Sequence, residues 1–107
     1  MIYELRIYET VPGRMGALND RFRNHTLRIF ERHGIRAVAF WEDVIGVSNR
    51  LTYILAWENL AHRETAWNAF QADPEWNAAR AKSEESGPIV ARVISTLMKP
   101  TDYSPLR

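Results

Sequence analysis

Apolar and charged positions alternate from the start of the chain. Over Ile2 to Thr10, Tyr3, Leu5 and Ile7 fall on one parity and Ile2, Glu4, Arg6 and Tyr8 on the other, the period of a strand. Val11-Pro12-Gly13 ends it. From Arg14 the period lengthens, and Met15, Leu18, Phe22, Ile29 and His33 form one stripe of a helix of about twenty residues, which Gly34 closes as a left-handed cap. Ile35 to Val44 alternates again, with Ile35, Ala37, Ala39 and Trp41 opposed to Arg36, Val38, Phe40 and Glu42. Ile45 to Arg50, containing Gly46, Ser48 and Asn49, is a hairpin loop. The run Leu51 to Glu58 is too short for a typical helix and reads as a third strand. A helix follows at once, with Asn59 as its cap and Leu60, Trp67 and Phe70 at helical spacing, and Asp73-Pro74 restarts a second helical piece. Ser86-Gly87-Pro88 stops that piece, Ile89 to Met98 is a β-branched fourth strand, and the tail from Pro100 to Arg107 is irregular.

The order βαββαβ and the right-handed crossover rule predict one α+β domain over residues 1–107, a ferredoxin-like sandwich. Its four-stranded antiparallel sheet carries the helices on one face. Of each strand's two faces, the nearly all-apolar one is assigned to the helices. The other carries Tyr8, Val38, Phe40, Ile54, Ile94 and Met98, interrupted by Arg6, Thr52 and Arg92. A half-exposed sheet ordinarily presents polar residues to water, so an apolar second face predicts a partner. Burying such a set is worth on the order of 10 kcal/mol before association costs. The expected assembly is a homodimer through the sheet face.

Composition narrows the partners. The chain has 107 residues, 46% of them hydrophobic and 25% charged, which suits a single globular domain. Net charge is +1 and the arginines are dispersed, so no stripe exists to track phosphates and nucleic acid is not expected. There is no cysteine, hence no disulfide framework and no thiolate metal site. The first residues read as a strand and no apolar run approaches membrane-spanning length, from which a cytoplasmic protein with no membrane span is expected.

Several stretches together resemble one family. YELRIYE at the start, HT followed by FERHG in the first helix, FW and then G-x-x-N before the third strand, and ADPEW ahead of PTDYSPL are similar to NIPSNAP-family proteins over nearly the whole chain. The resemblance implies a dimeric α+β barrel, a fold shared with small monooxygenases acting on polyketide-like phenols and with haem-degrading monooxygenases. It implies a ligand pocket in the gap between helices and sheet, and no particular reaction, since one fold hosts many functions.

His25 lies at the edge of the buried stripe, between Phe22 and Ile29, and is the best catalytic candidate as a base or hydrogen-bond donor in that gap. A half-buried histidine bonded to a carbonyl would look the same. His33, in the last turn before Gly34, is explained by the helix dipole alone. His62, in the first turn of the second helix, is expected to be neutral. His25 and His33 are about 12 Å apart along a helix at roughly 1.5 Å per residue, too far to share an ion, and no metal site is expected. Glu4 and Arg6 can pair, either orienting a substrate or stitching the dimer. Trp41, Tyr53, Trp57, Trp67, Phe70 and Trp76 make either a plain core or an aromatic pocket. The tail, with Tyr103 and Leu106, is expected to dock on the body or on the partner subunit.

The substrate-binding set expected from these residues is therefore His25, Trp41, Tyr53, Trp57 and Trp67, around a small aromatic or apolar molecule. Three functions remain open: a cofactor-independent oxygenase or isomerase, a non-enzymatic small-molecule module, and a purely structural homodimer. No cofactor is required by any of them. A haem-binding variant would use His25 or His62 as ligand.

Overall fold

The computed structural model describes residues 1–107. Alternation produces strand β1 at Ile2–Thr10, after which Gly13, at φ +83°, turns the chain into a long helix, α1. This helix joins an α-helical segment Met15–Arg21, a π-helical stretch Phe22–Thr26 and a second α-helical segment Leu27–Arg32. Gly34 ends it at φ +70°, a backbone conformation that a Cβ would strain. Strands β2 (Arg36–Glu42) and β3 (Arg50–Trp57) form a hairpin, followed by α2 (Leu60–Gln71), α3 (Pro74–Ser83) and β4 (Val90–Met98). The caps are those read from the sequence. Asn59 accepts from the His62 amide at 2.8 Å, and Asp73 accepts from the Glu75 amide at 2.8 Å, with Pro74 in the first turn where no amide is needed.

The sheet is antiparallel throughout, in the order β2-β3-β1-β4, and the three helices lie on one side of it: the ferredoxin-like α+β fold. Between the layers, Phe22 of α1 meets the ring of Tyr53 at 5.3 Å, Phe30 meets Phe70 at 4.9 Å, and Phe70 meets Trp76 at 4.8 Å. Extents of 45 × 36 × 19 Å describe a slab two layers thick. Its outer sheet face has no covering layer.

Two strands present faces other than those expected. Cross-strand partners share a face, and Glu4, Arg6 and Tyr8 stand opposite Leu55, Tyr53 and Leu51, all of the last three buried beneath the helices. So it is the charged parity of β1 that points inward, while Tyr3, Leu5 and Ile7 face outward. The apolar-in rule fails here because Glu4 and Arg6 satisfy each other and are satisfied by their neighbours, which offsets the desolvation penalty on which the rule rests. In β2 a bulge between Ala37 and Ala39 reverses the alternation. Ala37 faces the helices as expected. Phe40, expected outside, stacks on Tyr53 with ring centroids 4.9 Å apart, and Trp41, expected inside, lies on the outer face and is 50% exposed. The outer face thus carries Leu5, Ile7, Ala39, Trp41, Ile54, Ile94 and Met98, without Tyr8, Phe40 or Arg6. At the C-terminus, Tyr103 is 83% exposed, so the tail does not seat that ring on its own body.

Candidate functional site: a cationic cleft between helices and sheet

On the inner face of β1 lies a network centred on Glu4, which is fully buried. Its carboxylate accepts five hydrogen bonds: from Arg6 at 2.8 Å, Trp57 at 3.0 Å, Ser95 at 2.6 Å, and twice from Arg63 at 2.7 and 3.2 Å. Burial alone would raise this carboxyl's pKa, but the bonds from Arg63, Ser95 and Arg6 outweigh it and hold the group at about 2. Arg6 is answered on every side. Its Nε donates to the Tyr53 hydroxyl at 2.7 Å and its Nη2 to the Tyr8 hydroxyl at 3.1 Å, and its guanidinium lies 4.5 Å from the centre of the Trp67 ring. Burial would lower the Arg6 pKa, yet Tyr53, Tyr8 and Glu4 together raise it, so the cation is permanent. Tyr53 is wholly buried, and burial first, then Tyr8, pushes its phenol well above the ordinary tyrosine value. It stays protonated and donates to the Tyr8 oxygen at 2.8 Å. Tyr8 therefore accepts from both Arg6 and Tyr53, which leaves its own proton to donate outward.

Outward, for Tyr8, is a cleft. It opens between α1, α2, α3 and the β1–β4 side of the sheet, has a volume of about 250 Å³, and is walled by Tyr8, Phe22, Phe30, Trp67, Phe70 and Trp76. That is just below the usual range for drug-sized ligands and suits a smaller molecule. The side chains of Arg6, Arg21 and Arg80 also reach it, against a single carboxylate, Glu84, while Arg92, opposite Glu9 on β1, lines the rim and turns its side chain to the outer face. The π-helical stretch helps shape this wall: Thr26 donates to the Arg21 carbonyl at 3.2 Å across the wider turn, and Arg21, Phe22, Thr26 and Phe30 all line the cleft.

Of the site residues expected from the sequence, the structure brings Trp67 into this cleft, with Tyr53 and Trp57 directly beneath it. Trp57 is fully buried, its indole bound to Glu4. His25 and Trp41 lie elsewhere. His25 sits in the π-helical stretch and lines a separate polar hollow between α1 and α3, with Asn24, Lys82 and Ser83. The local widening of the helix rotates it off the inward stripe. Trp41 is carried to the outer face by the bulge in β2. His62 accepts from the Glu58 amide at 3.1 Å through Nδ1, at the exposed start of α2, and His33 bonds Asp73 at 2.6 Å. Neither His25 nor His62 reaches the cleft, and no three carboxylates or imidazoles gather as a metal-ligand set. Arg21, Tyr8 and Arg80 did not emerge from the sequence as site residues, whereas Trp76 and Phe70 stood among the aromatics read there as core or pocket. A signal existed for Arg21, which directly precedes Phe22 and lies three residues after Leu18, on a stripe otherwise apolar.

These features define the class first: an α+β ferredoxin-like protein with an aromatic, cationic cleft between its layers. The sequence matches the NIPSNAP family model over residues 3–105, and the chain belongs to that family. Protein Atu4242 from Agrobacterium tumefaciens is similar in structure, with a TM-score of 0.89 and 26% identity over 100% of both chains. An uncharacterised NIPSNAP-like domain protein from Burkholderia xenovorans has a TM-score of 0.86 and 24% identity, covering 97% of this chain and 88% of that one. A provisionally assigned antibiotic biosynthesis monooxygenase from Nitrosomonas europaea shares the fold, with a TM-score of 0.65 and 8% identity over 94% of this chain and 98% of that one. No curated protein matches the sequence. No helix is long and apolar enough to cross a membrane.

Proposed function

We propose that this NIPSNAP-family protein is a homodimer that binds a small, flat aromatic or apolar molecule in the cleft between helices and sheet. The observation that carries the reading is the cleft itself, about 250 Å³ walled by six aromatic rings, with the Tyr8 hydroxyl free to donate into it. Binding without chemistry is the better-supported form. The one carboxylate in the wall, Glu84, is held by Arg21 at 3.4 Å and Arg80 at 3.6 Å, and no imidazole lines the cleft, so a base for carbanion or enolate formation is missing. One observation favours an enzyme instead: Tyr8, fixed as an acceptor from Arg6 and Tyr53, presents one polarised hydroxyl to the cleft, a donor of the kind that stabilises a developing oxyanion. Native mass spectrometry of the purified protein tests the reading. A mass increment that disappears in Trp67→Ala supports it, whereas an unliganded chain that takes up no aromatic probe at millimolar concentration refutes it.

The dimer rests on area. The chain exposes 6669 Å², against roughly 6,100 Å² expected for a compact monomer of this mass, and large apolar side chains are among the exposed groups. Val44 and Ile45 at the β2–β3 loop are 98% and 96% exposed, and the outer sheet face adds Leu5, Ile7, Ile54 and Ile94. A second copy seated face to face would cover that sheet and receive the tail. Light scattering should return about twice 12.4 kDa; a single-chain mass at micromolar concentration would refute the dimer.

A further inference from the structure

Resting on the reading that the cleft takes a flat apolar molecule, we propose that this molecule is an acid, with one carboxylate held by Arg21 and Trp76 in the corner between α1 and α3. Two buried donors in that corner have no partner: Nε of Arg21 and Nε1 of Trp76. Each residue is only 7% exposed, and both line the cleft. They are also adjacent, since the Arg21 guanidinium lies 5.3 Å from the centre of the Trp76 ring. One orphaned buried N–H is uncommon in a folded protein, and two at one spot, neither open to solvent, mark a corner that an acceptor would enter as the Arg21 and Trp76 side chains part.

The contrast with Arg6 sharpens the point. Arg6 spends Nε, Nη1 and Nη2 on three partners at 2.7, 2.8 and 3.1 Å. Arg21 makes only two long bonds, both from Nη1, to Ser83 at 3.3 Å and Glu84 at 3.4 Å. The edge of its guanidinium that runs from Nε to Nη2, the side that grips a carboxylate through two parallel bonds, is left without a protein acceptor. Burial lowers the Arg21 pKa, and Glu84 offsets this only in part. A cation so placed gains from a second anion. The cleft side carries three arginines and one carboxylate, so the field favours that anion as well. The surrounding walls decide its kind. Two N–H donors set among aromatic rings suit a singly charged carboxylate on a planar body better than a phosphate, which demands more donors than the corner offers.

The test uses two probes of one shape, 2-naphthoate and its neutral amide 2-naphthamide, titrated into the full-length protein by calorimetry at neutral pH. The acid should bind at least about tenfold more tightly than the amide, the scale of one charge-assisted bond. Arg21→Gln should erase that preference, costing 2-naphthoate more affinity than 2-naphthamide. Equal binding of the two probes, or a preference that survives Arg21→Gln, overturns the acid and leaves the aromatic-ligand reading standing. Failure of both probes to bind overturns both. Should Arg21→Gln not fold, Trp76→Phe keeps a ring in place and removes the second donor. It should then weaken 2-naphthoate by about threefold or more and 2-naphthamide by less, since a neutral carbonyl accepts that N–H more weakly than a carboxylate does; equal effects on both would overturn the proposal.

Discussion

Glu4 is the residue on which the inner face of β1 depends. Five hydrogen bonds converge on one buried carboxylate, so its removal strands Arg6 inside the protein, whereas Arg63, which is part-exposed, can turn back to water. Breaking one side of a buried pair costs about 3–5 kcal/mol, and replacing both sides by apolar groups of similar size costs far less. Glu4→Ala should therefore lower unfolding stability by that amount, and Glu4→Met with Arg6→Met by clearly less, as read from urea midpoints. If the double variant were the weaker protein, the network would be contributing through something other than charge compensation. The same group sets an acid limit. Its pKa is about 2 in the folded chain against an ordinary 4.5, so its contribution is complete above 4.5 and is lost as pH falls from there toward 2. Urea midpoints measured across that window should drop, and Glu4→Gln should flatten the drop.

At the scale of elements, α1 and α3 are tied by charge at their facing ends. Asp73 caps α3 through the Glu75 amide, accepts from His33 and pairs with Arg32, while Glu75 pairs with Arg28 and Arg32. The pairs to Arg32 and His33, followed by the amides of α3, hold the Asp73 carboxyl below its ordinary range. Asp73→Ala removes cap and tie together and should lower Tm by about 5 °C or more. Asp73→Asn keeps an acceptor for the cap and should lower it by less. The cap and Pro74 were legible in the sequence because both act within one turn of chain. The bulge in β2 was not, since nothing in Arg36-Ala37-Val38-Ala39 distinguishes a strand that alternates from one that slips by a residue. That slip exchanged Trp41 for Phe40 in the core. The π-helical stretch was equally silent, and it carried His25 out of the expected pocket. Order and type of elements follow from long-range periodicity, but which side chain meets a ligand depends on single-residue offsets that periodicity averages away.

For the whole molecule, the reversed parity of β1 strengthens the case for a partner. With Glu4, Arg6 and Tyr8 turned inward, the outer face gains Leu5 and Ile7 beside Ile54 and Ile94, which are their cross-strand neighbours, so four aliphatic side chains form one contiguous patch at the centre of the sheet. A charge placed there is tolerated by a lone subunit, because these positions are only half-buried, but is trapped without a partner when two sheets close on each other. Ile54→Glu should accordingly shift the light-scattering mass from about twice 12.4 kDa to a single chain. Thermal unfolding supplies an independent check. For a dimer, Tm rises with protein concentration by mass action, and that dependence should be present in the native protein and absent in Ile54→Glu. A concentration-independent Tm in both would mean that this patch meets water in solution. The cleft lies on the opposite side of the sheet and is built within one chain. Aromatic binding by monomeric Ile54→Glu should therefore persist, which separates what the ligand requires from what the dimer requires.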